Sequence, residues 1–166
     1  MIQATTETYI RRKEIAQLLA EVPDPEIPGV SIVDLGMVID IRFQGELCVI
    51  ELAPTYSGCP AIDVIPIMVM STLRESGHSH VKVDIQISPP WSTEWISEIG
   101  KQKLFELGIA PPNKNSRQEE DEGRPKQCPQ CGSEKTILIS RFSSTPCKAA
   151  YRCTVCQEPF EYFKCY

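Results

Sequence analysis

The 166-residue sequence predicts an α+β protein: a small two-layer α/β domain in the order αββαβα, a polar linker, and a small β-rich module at the C-terminus. Three observations carry this prediction. Apolar residues switch between helical and alternating spacing as far as residue 110, then the pattern stops over residues 111–127. After the gap, two tight cysteine pairs, Cys128-Pro-Gln-Cys131 and Cys153-Thr-Val-Cys156, stand twenty-one residues apart.

Taken in order, Tyr9 to Val22 places Ile10, Ile15, Leu18 and Leu19 at helical spacing, and Pro23 ends the segment. Met37, Ile39, Ile41 and Phe43 alternate with Val38, Asp40 and Arg42. Leu47 to Leu52 follows across Gln44-Gly45-Glu46, so the two runs form a hairpin. Ile62, Ile65, Val69 and Leu73 mark a second helix that Ser76-Gly77 closes. Val81, Val83, Ile85 and Ile87 alternate with Lys82, Asp84, Gln86 and Ser88 as a third strand with one buried face. A last helix spans about Ser92 to Leu107, with a hydrophobic staple from Trp91 to Ile96. Pro111-Pro112 ends it, and residues 111–127 read as a solvated linker between a body at 1–110 and a module at 128–166.

The module is thirty-nine residues long, too short for a hydrophobic core to suffice, which is where a metal replaces missing burial. Two residues between cysteines let both thiolates of a pair bind one ion from a single turn. Two such turns complete the tetrahedral shell of Zn²⁺, so Cys128, Cys131, Cys153 and Cys156 are the expected ligands of one structural zinc in a zinc ribbon. Ile137, Ile139 and Phe142, and then Phe160, Tyr162 and Phe163, read as short strands bridging the two knuckles. Four thiolates also suit iron in a rubredoxin-like site, although Gln157 stands where the first knuckle has Gly132. Cys147 and Cys165 are further thiols of the module that can substitute for one of the four. A pair of disulfides fits less well, because the chain shows no export signal.

Within the body, the loop Thr55-Tyr-Ser-Gly-Cys59-Pro60 carries the distinctive chemistry. Pro60 suits the first position of the following helix, which puts Cys59 at the cap, where N–H groups and the helix dipole favour a thiolate. Thr55 and Ser57 can add hydroxyl hydrogen bonds, while an inert packed thiol is the plain alternative. Asp24-Pro-Glu26-Ile-Pro28 and Asp34-Leu-Gly36 place three carboxylates before the first strand. Such groups serve acid/base chemistry, and more often close turns. Trp91 and Trp95 read more readily as core than as a binding face. A Cys/His hydrolase would have to recruit His78 or His80 from elsewhere in the fold.

Net charge is −5, with eight basic and fifteen acidic side chains in residues 1–110 against five and three in residues 128–166. An acidic body argues against nucleic acid as a partner, and no apolar run is long enough to cross a membrane, so a reducing cytoplasm is the expected compartment.

Asp24-Pro-Glu-Ile-Pro28, Asp34-Leu-Gly36 and Thr55-Tyr-Ser-Gly-Cys-Pro60 resemble the motifs of a small domain that recurs in iron–sulfur cluster assembly and targeting factors. With the Cys-Pro-x-Cys-Gly ribbon and the ending Glu158-Pro-Phe-Glu-Tyr-Phe-Lys-Cys165, nearly the full length is similar to the D-subunit family of phenylacetyl-CoA 1,2-epoxidase systems. That resemblance implies a maturation factor acting on the di-iron oxygenase or the iron–sulfur flavin reductase of the same system, in phenylacetate breakdown. It also implies that Cys59 is the position that matters most, handling iron or an iron–sulfur cluster transiently, and Thr55, Asp24 and Glu26 are the further functional candidates. The chain has one ExxH, Glu75-Ser-Gly-His78, and no glycine-rich dinucleotide loop, so the oxygen and electron-transfer chemistry is expected in other subunits. A rubredoxin-like carrier, a structural oxygenase subunit and a nucleic-acid-binding ribbon remain the alternatives.

Overall fold

The computed structural model describes residues 6–56, 58–112, 125 and 127–164. Ser57, Cys165 and nearly all of the expected linker lie outside them. The chain divides into two compact units, Met1–Trp91 and Ser92–Tyr166. The last helix falls in the second of these units.

In the first unit, α1 (Thr6–Leu19) buries Ile15 and Leu19, whereas Ile10, placed on the apolar stripe by its spacing, is 59% exposed. A two-stranded ribbon that no apolar alternation announced, β1 (Pro23–Asp24) and β2 (Ile27–Ser31), follows. The hairpin is present as β3 (Val38–Gln44) and β4 (Leu47–Leu52), with Gln44 opposite Leu47 and a bulge between Val38 and Asp40.

The expected second helix is broken. Pro60–Asp63 forms one 3-10 turn, and α2 (Ile65–Glu75) starts afresh. Pro66 lacks the N–H that a continuous helix needs and its ring crowds the carbonyl four residues back, so the helix cannot run through from Pro60. Its C-terminus closes as a Schellman motif: the Gly77 N–H donates to the Arg74 carbonyl at 3.0 Å, and the His78 N–H to the Leu73 carbonyl at 2.9 Å. Gly77 stands at φ 91, a backbone conformation that side chains rarely adopt.

The third strand is β5 (Val81–Ile85), parallel to β4, which gives the sheet order β3-β4-β5. Ile87, expected on its buried face, lies beyond the strand and is 72% exposed. Ile50 and Leu52 of the sheet and Ile65, Val69 and Leu73 of α2 are buried with Ile15 and Leu19, each burial worth about 1.5–3 kcal/mol. Trp91 closes the unit, its Nε1–H donating to the Leu35 carbonyl at 2.9 Å.

In the second unit, the expected long helix again splits. Thr93–Trp95 is a 3-10 turn, and α3 (Glu98–Glu106) begins at its own cap, where Ser97 Oγ accepts from the Gly100 N–H at 2.8 Å. Ile96, extended between the two, interrupts the helix, so the staple from Trp91 has no single helix to brace. The ribbon is a four-stranded sheet in the order β6-β9-β8-β7, made of β6 (Ile109–Ala110), β7 (Thr136–Ser140), β8 (Lys148–Cys153) and β9 (Pro159–Phe163). β6 pairs parallel with β9, which ties α3 to this sheet, and β8 was not foreseen because Lys148-Ala-Ala-Tyr-Arg lacks apolar alternation.

Candidate functional site

The four paired cysteines converge. Cys128, Cys131, Cys153 and Cys156 bring their sulfurs within 4.8 Å of one another, with 3.8 Å from Cys128 to Cys156 and 3.5 Å from Cys131 to Cys153. A tetrahedron of Zn–S bonds of about 2.3 Å has edges of about 3.8 Å, so the donor set fits one tetrahedral ion. Each pair sits on the same turn. The N–H of Cys128 donates to the Ser133 carbonyl at 2.8 Å, and that of Cys153 to the Glu158 carbonyl at 3.0 Å, five residues on in both cases.

The fourth residue after the first cysteine is left-handed in both knuckles, Gly132 at φ 73 and Gln157 at φ 66. The contrast between Gly132 and Gln157 thus does not reach the backbone. The second knuckle takes the same turn with a strained non-glycine residue, so Gln157 gives no ground for preferring zinc over iron. Behind the sulfurs lies a small core of Ala110, Ala149, Tyr151, Phe160 and Tyr162, with Cys128 and Cys153 themselves fully buried.

Amide donors tune the cluster. N–H groups of Cys156, at 3.5 Å, and Val155, at 3.3 Å, point at the Cys153 sulfur and draw its thiol down to about 6. At Cys156 the Glu158 amide acts in the same sense, but burial and the hydrogen bonds with Cys131, Cys153 and Cys128 outweigh it, and that thiol is pushed up to about 12. Four sulfurs this close ionise together only with a cation among them. Cys147 is buried and engaged with Thr145 Oγ1 at 2.9 Å, and it is not a member of the quartet. Cys165 lies outside the described residues.

A second constellation forms in the first unit. Cys59 is 4% exposed and caps the 3-10 turn in an extended conformation. No N–H of the turn closes a cap hydrogen bond on its sulfur, although the Ala61 amide and the Thr55 hydroxyl both favour its thiolate and the charges of Glu26 and Asp24 oppose it. The fold thus brings the Asp24–Pro28 turn near enough to the Thr55–Pro60 loop for the charges of Glu26 and Asp24 to act on Cys59. The expected thiolate is not favoured. Burial pushes the Cys59 thiol up, the two carboxylates add to that, and the two donors do not offset them. A one-turn 3-10 segment lacks the aligned peptides of a helix dipole, and the α-helix proper starts only at Ile65.

The carboxylates also shape the loops locally. Asp24 Oδ1 accepts from the N–H groups of Glu26 and Ile27, both at 2.9 Å, which closes the β1–β2 turn. Asp34 Oδ2 accepts from the Ser31 N–H at 3.1 Å while Ser31 Oγ accepts from the Asp34 N–H at 3.0 Å. His78 lies 3.8 Å from Glu14 Oε1 on α1, and Trp95 is 37% exposed where Trp91 is buried. Sequence reasoning missed the Ala61 amide, which carries no side-chain signature. It also missed a polar cluster in the ribbon, in which Lys148 Nζ sits 3.0 Å from Glu161 Oε2 and Ser143 Oγ donates to Glu161 Oε1 at 2.6 Å.

Residues 12–88 match the family model of an iron–sulfur cluster assembly protein, and residues 111–164 match that of a PaaD zinc beta ribbon domain. The chain is 45% identical to an Escherichia coli (strain K12) protein named as the D subunit of 1,2-phenylacetyl-CoA epoxidase, over 92% of each chain. It is 33% identical over 100 residues to an Fe-S protein maturation auxiliary factor of Porphyromonas gingivalis, covering 58% of this chain and 90% of that one. A crystal structure of a domain of unknown function, DUF59, from Bacillus anthracis matches with a TM-score of 0.54 and 30% identity, over 58% of this chain and 92% of that one.

Fold, cysteine quartet and matches together define a class, an iron–sulfur assembly domain joined to a zinc ribbon. Within that class, the chain belongs to the D-subunit family of phenylacetyl-CoA epoxidases. Among the described residues no helix is long and apolar enough to cross a membrane.

Proposed function

We propose that this chain is a non-catalytic maturation factor that helps load an iron–sulfur or di-iron centre into the reductase or oxygenase of a phenylacetyl-CoA epoxidase system in the cytoplasm. The observation that carries this reading is that the Thr55 hydroxyl and the charges of Glu26 and Asp24 act on Cys59 in a domain matched to iron–sulfur assembly proteins. A thiol pushed up by burial and neighbouring carboxylates is neutral at rest. An arriving cation reverses both effects, because it is attracted by the carboxylates and stabilises the thiolate, so the site discriminates in favour of metal. The Thr55 hydroxyl and the Ala61 N–H then stabilise the sulfur charge.

The ribbon's ion is zinc in this reading, structural because four thiolates close its shell, and the ribbon docks the client. Four thiolates on two equivalent left-handed knuckles also accept iron, which makes an electron-carrying ribbon the second reading. Anaerobic co-production of the oxygenase and reductase with the wild-type chain, with Cys59→Ser, or with neither is the test. Client iron is expected to be full only beside the wild-type chain. Full iron and turnover beside the serine variant sink the proposal, and reversible visible absorption of the purified ribbon would favour the electron carrier.

A further inference from the structure

The two edges of the β3-β4-β5 sheet are not alike. β3 carries a bulge between Val38 and Asp40, and α1 lays Arg12 against Asp40 and Arg11 over the Phe43 ring at 4.2 Å, devices that blunt an edge against pairing. β5 runs in regular register with β4, and among the described residues no strand pairs with its far side. The Cys48 N–H donates to the His80 carbonyl and the Gln86 N–H to the Leu52 carbonyl, both at 2.8 Å. Even-numbered residues of β5 therefore spend their backbone groups on β4. Val81, Val83 and Ile85 turn theirs outward, along an edge where Ile85 is 39% exposed and Lys82 stands 2.9 Å from Asp84.

That pattern is self-complementary. We propose that two copies of this chain pair antiparallel through β5 about a two-fold axis at Val83, joining two three-stranded sheets into one of six strands. Val83 faces the partner's Val83 as a hydrogen-bonded pair, and so do Val81 and the partner's Ile85, because these residues have the outward-pointing N–H and C=O groups. Lys82 then falls in a non-hydrogen-bonded pair, the closer kind, directly opposite the partner's Asp84, and the symmetry repeats the ion pair. The apolar side chains of Val81, Val83 and Ile85 share the other face and cover one another. A second copy is favoured over an unrelated strand because this one register satisfies both charges and both halves of the edge at once.

The register supplies its own test on the full chain by sedimentation equilibrium over a range of concentrations. Wild type is expected to show a concentration-dependent shift from monomer to dimer. Lys82→Asp alone sets carboxylate against carboxylate, and Asp84→Lys alone sets ammonium against ammonium, so each single variant is expected to stay monomeric. An equimolar mixture of the two single variants, and the double variant that exchanges the charges, restore opposite charges at both contacts and are expected to dimerise. Circular dichroism and metal content serve as fold controls, and the mixture and the double variant keep the test decisive if one single variant is destabilised. A wild-type chain that stays monomeric throughout, or single variants that dimerise as wild type does, would overturn the proposal.

Discussion

Lys148, 4% exposed, holds its ammonium 3.0 Å from the carboxylate of Glu161 on the neighbouring strand. Burial alone would raise the Glu161 carboxyl, but the Ser143 hydroxyl, Ser144 and Lys148 outweigh it and hold it at about 2. Ser144 contributes its N–H at 3.1 Å. The ribbon therefore has a second fastening that is independent of metal, at the end of β8 and β9 away from Cys153.

A carboxyl depressed on folding stabilises above its ordinary value of 4.5 and loses that contribution as pH falls through 4.5 towards 2. Glu161→Gln removes this part of the acid dependence and leaves a buried ammonium without its anion. The expected cost is about 3 kcal/mol in ribbon stability, with a shallower acid limb than wild type, measured by amide exchange of β8 and β9 between neutral and acidic pH. Parallel acid limbs in the two proteins would contradict it.

Replacing any one of Cys128, Cys131, Cys153 and Cys156 by Ser is expected to abolish stoichiometric zinc binding. It should also unfold the ribbon while β3-β4-β5 and α2 keep their exchange protection, because the first unit has its own core. Elemental analysis and amide exchange on the same sample check both halves. Freshly prepared wild-type protein without zinc, or four freely alkylated thiols, would reject the assignment.

Cys59 is expected to alkylate more slowly at neutral pH than an unstructured cysteine, since burial and then Glu26 and Asp24 push its thiol up and reduce the thiolate fraction. Raising the pH speeds the reaction, and Glu26→Gln, which removes one negative charge, speeds it at constant pH. Mass-spectrometric time courses of iodoacetamide labelling at Cys59 read these rates. A faster reaction than the unstructured reference would show a thiolate favoured at rest, the opposite of the mechanism above.

Trp91→Phe keeps most of the buried ring but removes the Nε1–H that reaches the Leu35 carbonyl. Loss of about 1–2 kcal/mol from the first unit is expected by urea denaturation, with zinc content unchanged. An unaltered midpoint would mean that the Leu35 carbonyl finds another donor.

Local spacing was enough for the metal quartet, because two residues between cysteines fix both thiolates on one turn wherever that turn lies in the fold. Periodicity likewise disclosed the β3–β4 hairpin and the apolar face of α2. What failed in the sequence failed for local reasons that periodicity does not weigh. Pro66 splits the second helix although Ile62, Ile65 and Val69 keep helical spacing, and Ile10 has the right spacing on a helix whose buried side is elsewhere. β8 escaped because its polar and small residues owe their strand to β7 and β9 on either side.

The α+β class and the convergence of the four paired cysteines follow from patterns within a few tens of residues. That α3 and β6 belong with the ribbon's sheet, that the charges of Glu26 and Asp24 reach Cys59, and that burial there outweighs any gain from the cap emerge only in the folded chain. Those outcomes depend on which distant segments exclude water from one another. Desolvation is a property of the assembled surroundings and is written in no single stretch of the chain.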